Sequence, residues 1–276
     1  MVNHLRAARY VQPLREGGSL PAVVETDEGE LYVVKFRGAG QGANALIAEL
    51  VVGGLARTLG LPVPELAIVD VAEAFGRSEP DPEIQEILQK SRGTNVGMRY
   101  LDGAFNFSSS AAGEFISDAL ATRIAWFDAL VTNPDRTARN PNMMVWERQP
   151  WLIDHGAALY AHHDWRSVDD ARAKTPFTYI KDHVLIARSG DIAAVDAELA
   201  PILGEDALRA VMADVPDSLL LDPVTNAGFA SADAARERYV SYFRTRLESP
   251  RAWVAEAAAA RERALVAPPV RVSARR

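Results

Sequence analysis

Asp135-Arg136-Thr137-Ala138-Arg139-Asn140, followed by Ile153-Asp154-His155-Gly156, sets an acid, an amide five positions on, and a second acid fourteen positions after that. Phosphoryl transfer needs such a set: a carboxylate to orient an attacking hydroxyl and take its proton, and oxygen ligands for Mg2+ beside the phosphates. Asp135 suits the base, and Asn140 and Asp154 suit the metal. Asp and Asn also favour turns, so the spacing alone leaves an ordinary loop open.

A phosphate-binding half is expected upstream. Leu31-Tyr32-Val33-Val34-Lys35-Phe36 reads as a strand, and alternation puts Lys35 on one face with Leu31 and Val33, taken here as a buried face. Glu49 lies between Leu46 and Leu50 on the inward stripe of the next helix, where an unpaired carboxylate is costly to bury. The two are expected to pair, with Lys35 reaching phosphate. The alternative is a lysine snorkelling to solvent and a helix-face glutamate. Gly17-Gly18-Ser19, in the first turn, either lends backbone amides to phosphate or is a plain hairpin turn.

The elements that must hold these residues follow from patterning. Residues 10–13 and 21–25 read as short strands, and 31–36 completes three antiparallel strands. Residues 43–59 repeat apolar positions at helical spacing and stop at Gly60, Pro62 and Pro64. Strand character returns at 65–71 and 96–101, with a surface excursion and a short helix at 83–89 between them. After Gly103 strands give way to helices, which divides the chain into an N-lobe (1–103), a helical C-lobe (104–266) and a disordered tail (267–276). A helix over 115–131, apolar on most faces, leads into Asp135. A hairpin of 143–146 and 151–153 around Glu147-Arg148-Gln149-Pro150 delivers Asp154.

Composition narrows the setting. Thirty basic against 37 acidic residues give a formal charge of −7, so no broad footprint for nucleic acid or an anionic membrane is expected. The chain has no cysteine, which excludes disulfides and thiolate chemistry and agrees with the expected cytoplasmic location. Neither a signal peptide nor a membrane-spanning run is expected.

Val34-Lys35-Phe36, Glu49, Asn133-Pro134-Asp135-Arg136 through Asn140, and Ile153-Asp154-His155-Gly156 together resemble the HipA-like kinases and, more distantly, the phosphatidylinositol 3- and 4-kinases. The resemblance implies a two-lobed α+β protein-kinase-like fold that uses ATP and Mg2+. It implies phosphate binding by Lys35, base catalysis by Asp135, metal binding by Asn140 and Asp154, and a hinge at Tyr100 and Leu101 against which adenine packs. A protein serine or threonine is the implied acceptor. The chain departs from these families at Thr137, where lipid kinases carry histidine, at His155, where Asp-Phe-Gly carries phenylalanine, and in having no glycine-rich G-x-G-x-x-G. The extra N-terminal subdomain of full-length HipA toxins is not expected here, which leaves toxin activity and an antitoxin partner without support.

Two other functions fit the same residues: a small-molecule kinase of the aminoglycoside phosphotransferase type, and a nucleotide-binding regulatory module without turnover. Gly38-Ala39-Gly40-Gln41-Gly42-Ala43 also matches a loose dinucleotide fingerprint, but Lys35 and Arg37 interrupt its strand and Asp70 lies too far on. Asp128 is expected to hydrogen-bond the catalytic loop, and His162-His163-Asp164 to be a solvated loop and not a metal site.

Overall fold

A computed structural model of the chain describes residues 2–14, 20–40, 42–77, 79–109, 112–226 and 228–266. Gly17, Gly18 and Ser19, and the 267–276 tail, lie outside the described residues. Five strands, β1 (Asn3–Pro13), β2 (Ala22–Thr26), β3 (Leu31–Lys35), β4 (Leu66–Val71) and β5 (Gly93–Arg99), close into a barrel in the order β1-β2-β3-β5-β4. The sheet is not wholly antiparallel as expected. Asn3–Arg6 of β1 run parallel to Ala67–Asp70 of β4, while Ala7–Pro13 pair antiparallel with β2. Register shifts after Ala7 and Tyr10 bend β1, which lets one long strand serve two neighbours.

The barrel has its own core. Val24, Tyr32, Val34, Ala67 and Val69 fill it together with Ile84 and Leu88 of α2 (Pro82–Lys90). Gly97 is required there, because a Cβ would sit 2.9 Å from Val69 Cγ2. Tyr32 and Val34 are the inward residues of β3, so the face carrying Leu31, Val33 and Lys35 is the half-buried outer one and not the buried one.

Helix α1 (Ala43–Thr58) packs on the outside of the barrel, and its buried residues join a second, larger core with the helical part. Leu46, Ile47, Leu50 and Val51 share that core with Ile124, Trp126, Leu130, Val211 and Leu219. The expected helix over 115–131 is broken into α3 (Ala112–Phe115) and α4 (Asp118–Leu130), because Ser117 caps α4 by accepting from Leu120 N at 3.2 Å. A sheet of β6 (Phe105–Asn106), β7 (Met143–Trp146) and β8 (Gln149–Leu152) follows, with β7 and β8 joined by a two-residue turn. Glu147 and Arg148 hold that turn at φ 50° and 61°, tighter than the expected four-residue loop. The remainder is helical: α5 (Asp170–Ala173), α6 (Ile192–Leu199), α7 (Glu205–Ala213), α8 (Asp217–Leu220), α9 (Ala232–Leu247) and α10 (Ala252–Val266). No helix among the described residues is long and apolar enough to cross a membrane.

Side chains fasten the two parts of the molecule together. Arg37, just after β3, donates from Nε to Asp222 Oδ2 at 2.8 Å, and Asp222 Oδ1 accepts from Val224 N and Thr225 N at 3.0 and 2.9 Å. Arg123 of α4 donates to Leu59 O at the end of α1 at 2.7 Å, and Ser218 donates to Thr94 at 2.8 Å.

Candidate active site

Lys35, at the end of β3, donates to Glu49 Oε1 and to Asp154 Oδ1, each at 2.5 Å. Burial alone disfavours the ammonium, but the two carboxylates outweigh it and raise its pKa, so the lysine is charged. Glu49 is buried and Asp154 is part-exposed. Gly156 leaves room for this cluster, since a Cβ there would lie 3.3 Å from Glu49 Oε1 and 3.5 Å from Lys35 Nζ. Lys35 has three N–H donors and uses two, and Asp154 Oδ2 has no hydrogen-bond partner among the described residues.

The Asp135 loop is held as a unit of its own. Asp135 Oδ2 accepts from Asn140 Nδ2 at 2.9 Å and from Asn142 Nδ2 at 3.0 Å, and Asp135 N donates to Asn133 Oδ1 at 3.1 Å. With its amide nitrogen so used, exposed Asn140 keeps a carbonyl oxygen that has no hydrogen-bond partner among the described residues. Thr132, Asn142 and Asp154 adopt φ values of 53°, 46° and 53°, so left-handed backbone punctuates both sides of the loop and the second acid. Such conformations cost on the order of 1–3 kcal/mol each and persist where surrounding bonds fix them.

The two halves are joined through Asn142 and Arg136. Asn142 O accepts from Ile153 N at 3.0 Å and from Arg136 Nη1, so the residue that binds Asp135 also holds the one before Asp154. Arg136 is buried: its Nε donates to Asp128 Oδ2 at 2.5 Å, and its Nη2 lies 3.4 Å from His155 Nδ1. Asp128 also accepts from Asn133 Nδ2 at 3.1 Å and from His183 Nε2 at 2.9 Å. Burial opposes the Asp128 charge, yet Arg136 and His183 hold its carboxyl far below the usual range. His155 is pushed down to about 3 by burial and by Arg136, so it faces that guanidinium as a neutral acceptor.

Lys35, Glu49 and Asp154 therefore meet in one cluster and Asp135 with Asn140 in a second bonded to it, while Tyr100 and Leu101 directly follow β5, between the barrel and the second sheet. The Tyr100 amide is spent on Leu31 O at 2.9 Å. Sequence reading missed Asn142 and His183, and named Asn133 within the motif without giving it a role. A second Asn two residues after Asn140 was the one local signal, whereas His183 is brought in by folding alone. The Gly38 loop packs on α2, with Gly38 N donating to Ser91 Oγ at 2.9 Å, which suits a connection and not a dinucleotide turn. No group of three or more His, Cys, Asp or Glu able to hold a metal occurs among the described residues. For Mg2+ the fit rests instead on two hard oxygens without hydrogen-bond partners among the described residues, Asp154 Oδ2 and Asn140 Oδ1.

The His162-His163-Asp164 stretch is not simply solvated. His162 is buried with Nδ1 at 3.1 Å from Tyr239 Oη, and burial together with His163 lowers its pKa well below 6.5. The unfolded chain takes up a proton below about pH 6.5 that folded His162 refuses, so stability is full above that pH and falls below it. The expected slope from this one group is about 1.4 kcal/mol per pH unit. Denaturant titrations between pH 7 and 5 should show it added to the similar contribution of buried His155, and His162→Gln should lower the slope by this one group's share; an unchanged slope would remove His162 as a source.

The HipA-like kinase family model matches residues 8–183, well over half of the chain, and spans both clusters. The chain belongs to the HipA-like kinase family. This HipA-like kinase is also similar in fold to a solved Helicobacter pylori protein, the proinflammatory kinase CtkA, at 12% identity and a TM-score of 0.52, with 96% of this chain and 98% of that one covered. A solved Golgi casein kinase aligns at 11% identity and a TM-score of 0.40, over 89% of this chain and 71% of that one, which is too distant to carry an argument. No curated protein matches the chain. The α+β kinase-like fold expected from the sequence, sheet-rich at the N-terminus and helical at the C-terminus, is the fold observed.

Proposed function

We propose that this HipA-like kinase transfers the γ-phosphoryl group of ATP, with Mg2+, to a serine or threonine hydroxyl of a protein. The observation that carries the reading is the paired Lys35, bonded at once to Glu49 and Asp154 and offering its third N–H to a phosphate oxygen. Asp154 and Asn140 would hold Mg2+, which when bound neutralises charge on the phosphates. Asp135 keeps Oδ1 without a partner among the described residues, so it can orient the acceptor hydroxyl there and take its proton. Asn140 and Asn142 fix the carboxylate plane from the other oxygen. Tyr100 and Leu101 form the hinge against which adenine packs. Membership of the family supports a protein acceptor in this reading.

The test is incubation of the purified protein with labelled ATP and Mg2+, alone and with cell extract, beside Asp135→Ala. Label should appear in protein and fall by about 10²–10⁴-fold in the variant, with ATP affinity unchanged. Label only in small molecules would point to the aminoglycoside phosphotransferase type. ATP binding without transfer would sink the catalytic reading in favour of a regulatory module.

A further inference from the structure

We propose that Arg246 is a positioning residue, which fixes the catalytic loop and the segment after Asp154-His155-Gly156 to each other by binding the carbonyl ends of both. Arg246, on α9, is only 2% exposed. Its Nη2 and Nε donate to Ala129 O and Leu130 O, the last two carbonyls of α4, at 2.8 and 2.7 Å. From the other side of the guanidinium, Nη1 donates to Ala173 O at the end of α5 at 2.8 Å and to Thr175 O at 3.2 Å. The final carbonyls of a helix lack intrahelical donors and carry partial negative charge, so one planar fork answers both ends.

No carboxylate lies within ion-pair distance of Arg246 among the described residues. Its charge is met by those four carbonyls and by the Trp253 ring, whose centroid is 5.5 Å away. Burial lowers its pKa accordingly. A buried cation with no acid is an expensive way to fill space, and an apolar residue would leave four carbonyls without donors. What it joins gives the arrangement its sense. Leu130 stands five residues before Asp135, and a cleft of about 590 Å3 opens between Pro134 on one side and Phe177 and Thr178 on the other, with Arg246 in its lining. Arg238, two turns earlier on α9, holds the same segment by donating to Trp165 O at 3.1 Å and to Val168 O. Two arginines of α9 thus hold the segment by its carbonyls.

The functional half of this inference rests on Asp135 as the base. Arg246→Gln and Arg246→Lys are compared with wild type by ADP release from MgATP and by hydrogen–deuterium exchange. Arg246→Gln should lose exchange protection in residues 131–140 and 170–179 together, with kcat down about 10–100-fold and KM for ATP unchanged. Arg246→Lys, which keeps the charge but not the fork, should fall between the two and carries the test if the glutamine variant does not fold. Loosening of only one segment, even loosening of all the C-terminal helices, or an unchanged kcat overturns the proposal. If Asp135→Ala still releases ADP, the base assignment fails, and the exchange result continues to decide the coupling.

Discussion

Replacing Asp154 by alanine is expected to reduce phosphoryl transfer by about 10³-fold or more, the scale on which preorganised charge at the transferring group acts. Two losses coincide. Lys35 is left with Glu49 as its one carboxylate partner, so its ammonium is drawn away from the cleft. The free oxygen proposed for Mg2+ disappears with the same side chain, because Asp154 uses Oδ1 for Lys35 and keeps Oδ2 open. The measurement is the labelled-ATP assay at saturating Mg2+, paired with ATP binding in the presence and absence of the metal. In the variant, ATP affinity should no longer respond to Mg2+. Asp154→Asn should be nearly as inactive, since an amide restores shape without charge. Transfer within tenfold of wild type would mean that Asp154 is a structural partner of Lys35 and not a metal ligand.

The largest effect on stability is expected at Asp128, which touches no proposed substrate. Asp128→Ala strands Arg136, a guanidinium with almost no solvent access, and removes the acceptor of Asn133 and His183. Removing one partner of a buried pair costs about 3–5 kcal/mol, a large part of the roughly 5–15 kcal/mol that holds a typical domain. The variant should melt about 10 °C or more below wild type, with Asp128→Asn, which keeps an acceptor, in between. Because the folded carboxyl sits far below the ordinary carboxylate value, its contribution is complete above about pH 4 and is lost as the pH falls further. Wild type should therefore lose stability steeply in that acid range, and Asp128→Ala should show a shallower loss from a lower starting point. Equal melting temperatures at pH 7 would show that Arg136 finds other partners.

Much of this arrangement was legible because local pattern and chemistry coincide. The apolar run from Leu31 to Phe36 and the stops at Gly60, Pro62 and Pro64 marked β3 and the end of α1 within a residue or two. Lys35 and Glu49 stood out because each interrupts an apolar surface. The barrel closure was hidden for the opposite reason: residues 3–9 are mostly polar and exposed, with Leu5 the one buried residue among them, so nothing in their pattern signals pairing with β4. The Lys35 face was misjudged because alternation separates two faces without saying which one meets the core. Arg246 and His183 had no signature at all. Each acts on partners 55 to 117 residues away, and a backbone carbonyl or a shared aspartate leaves no mark at the distant position.

The placement of α1 bears on how the cleft is assembled. The helix that carries Glu49 lies against the barrel, yet its buried face belongs to the core shared with the helical part, and Arg37, just after β3, and Arg123, through its bond at the helix's C-terminal end, tie this region to the helical part. Swinging the barrel away would peel apolar surface from that core or break the pairing of Lys35 with Glu49. The lysine–glutamate contact is thus tied to the same packing that joins the barrel to the helical part.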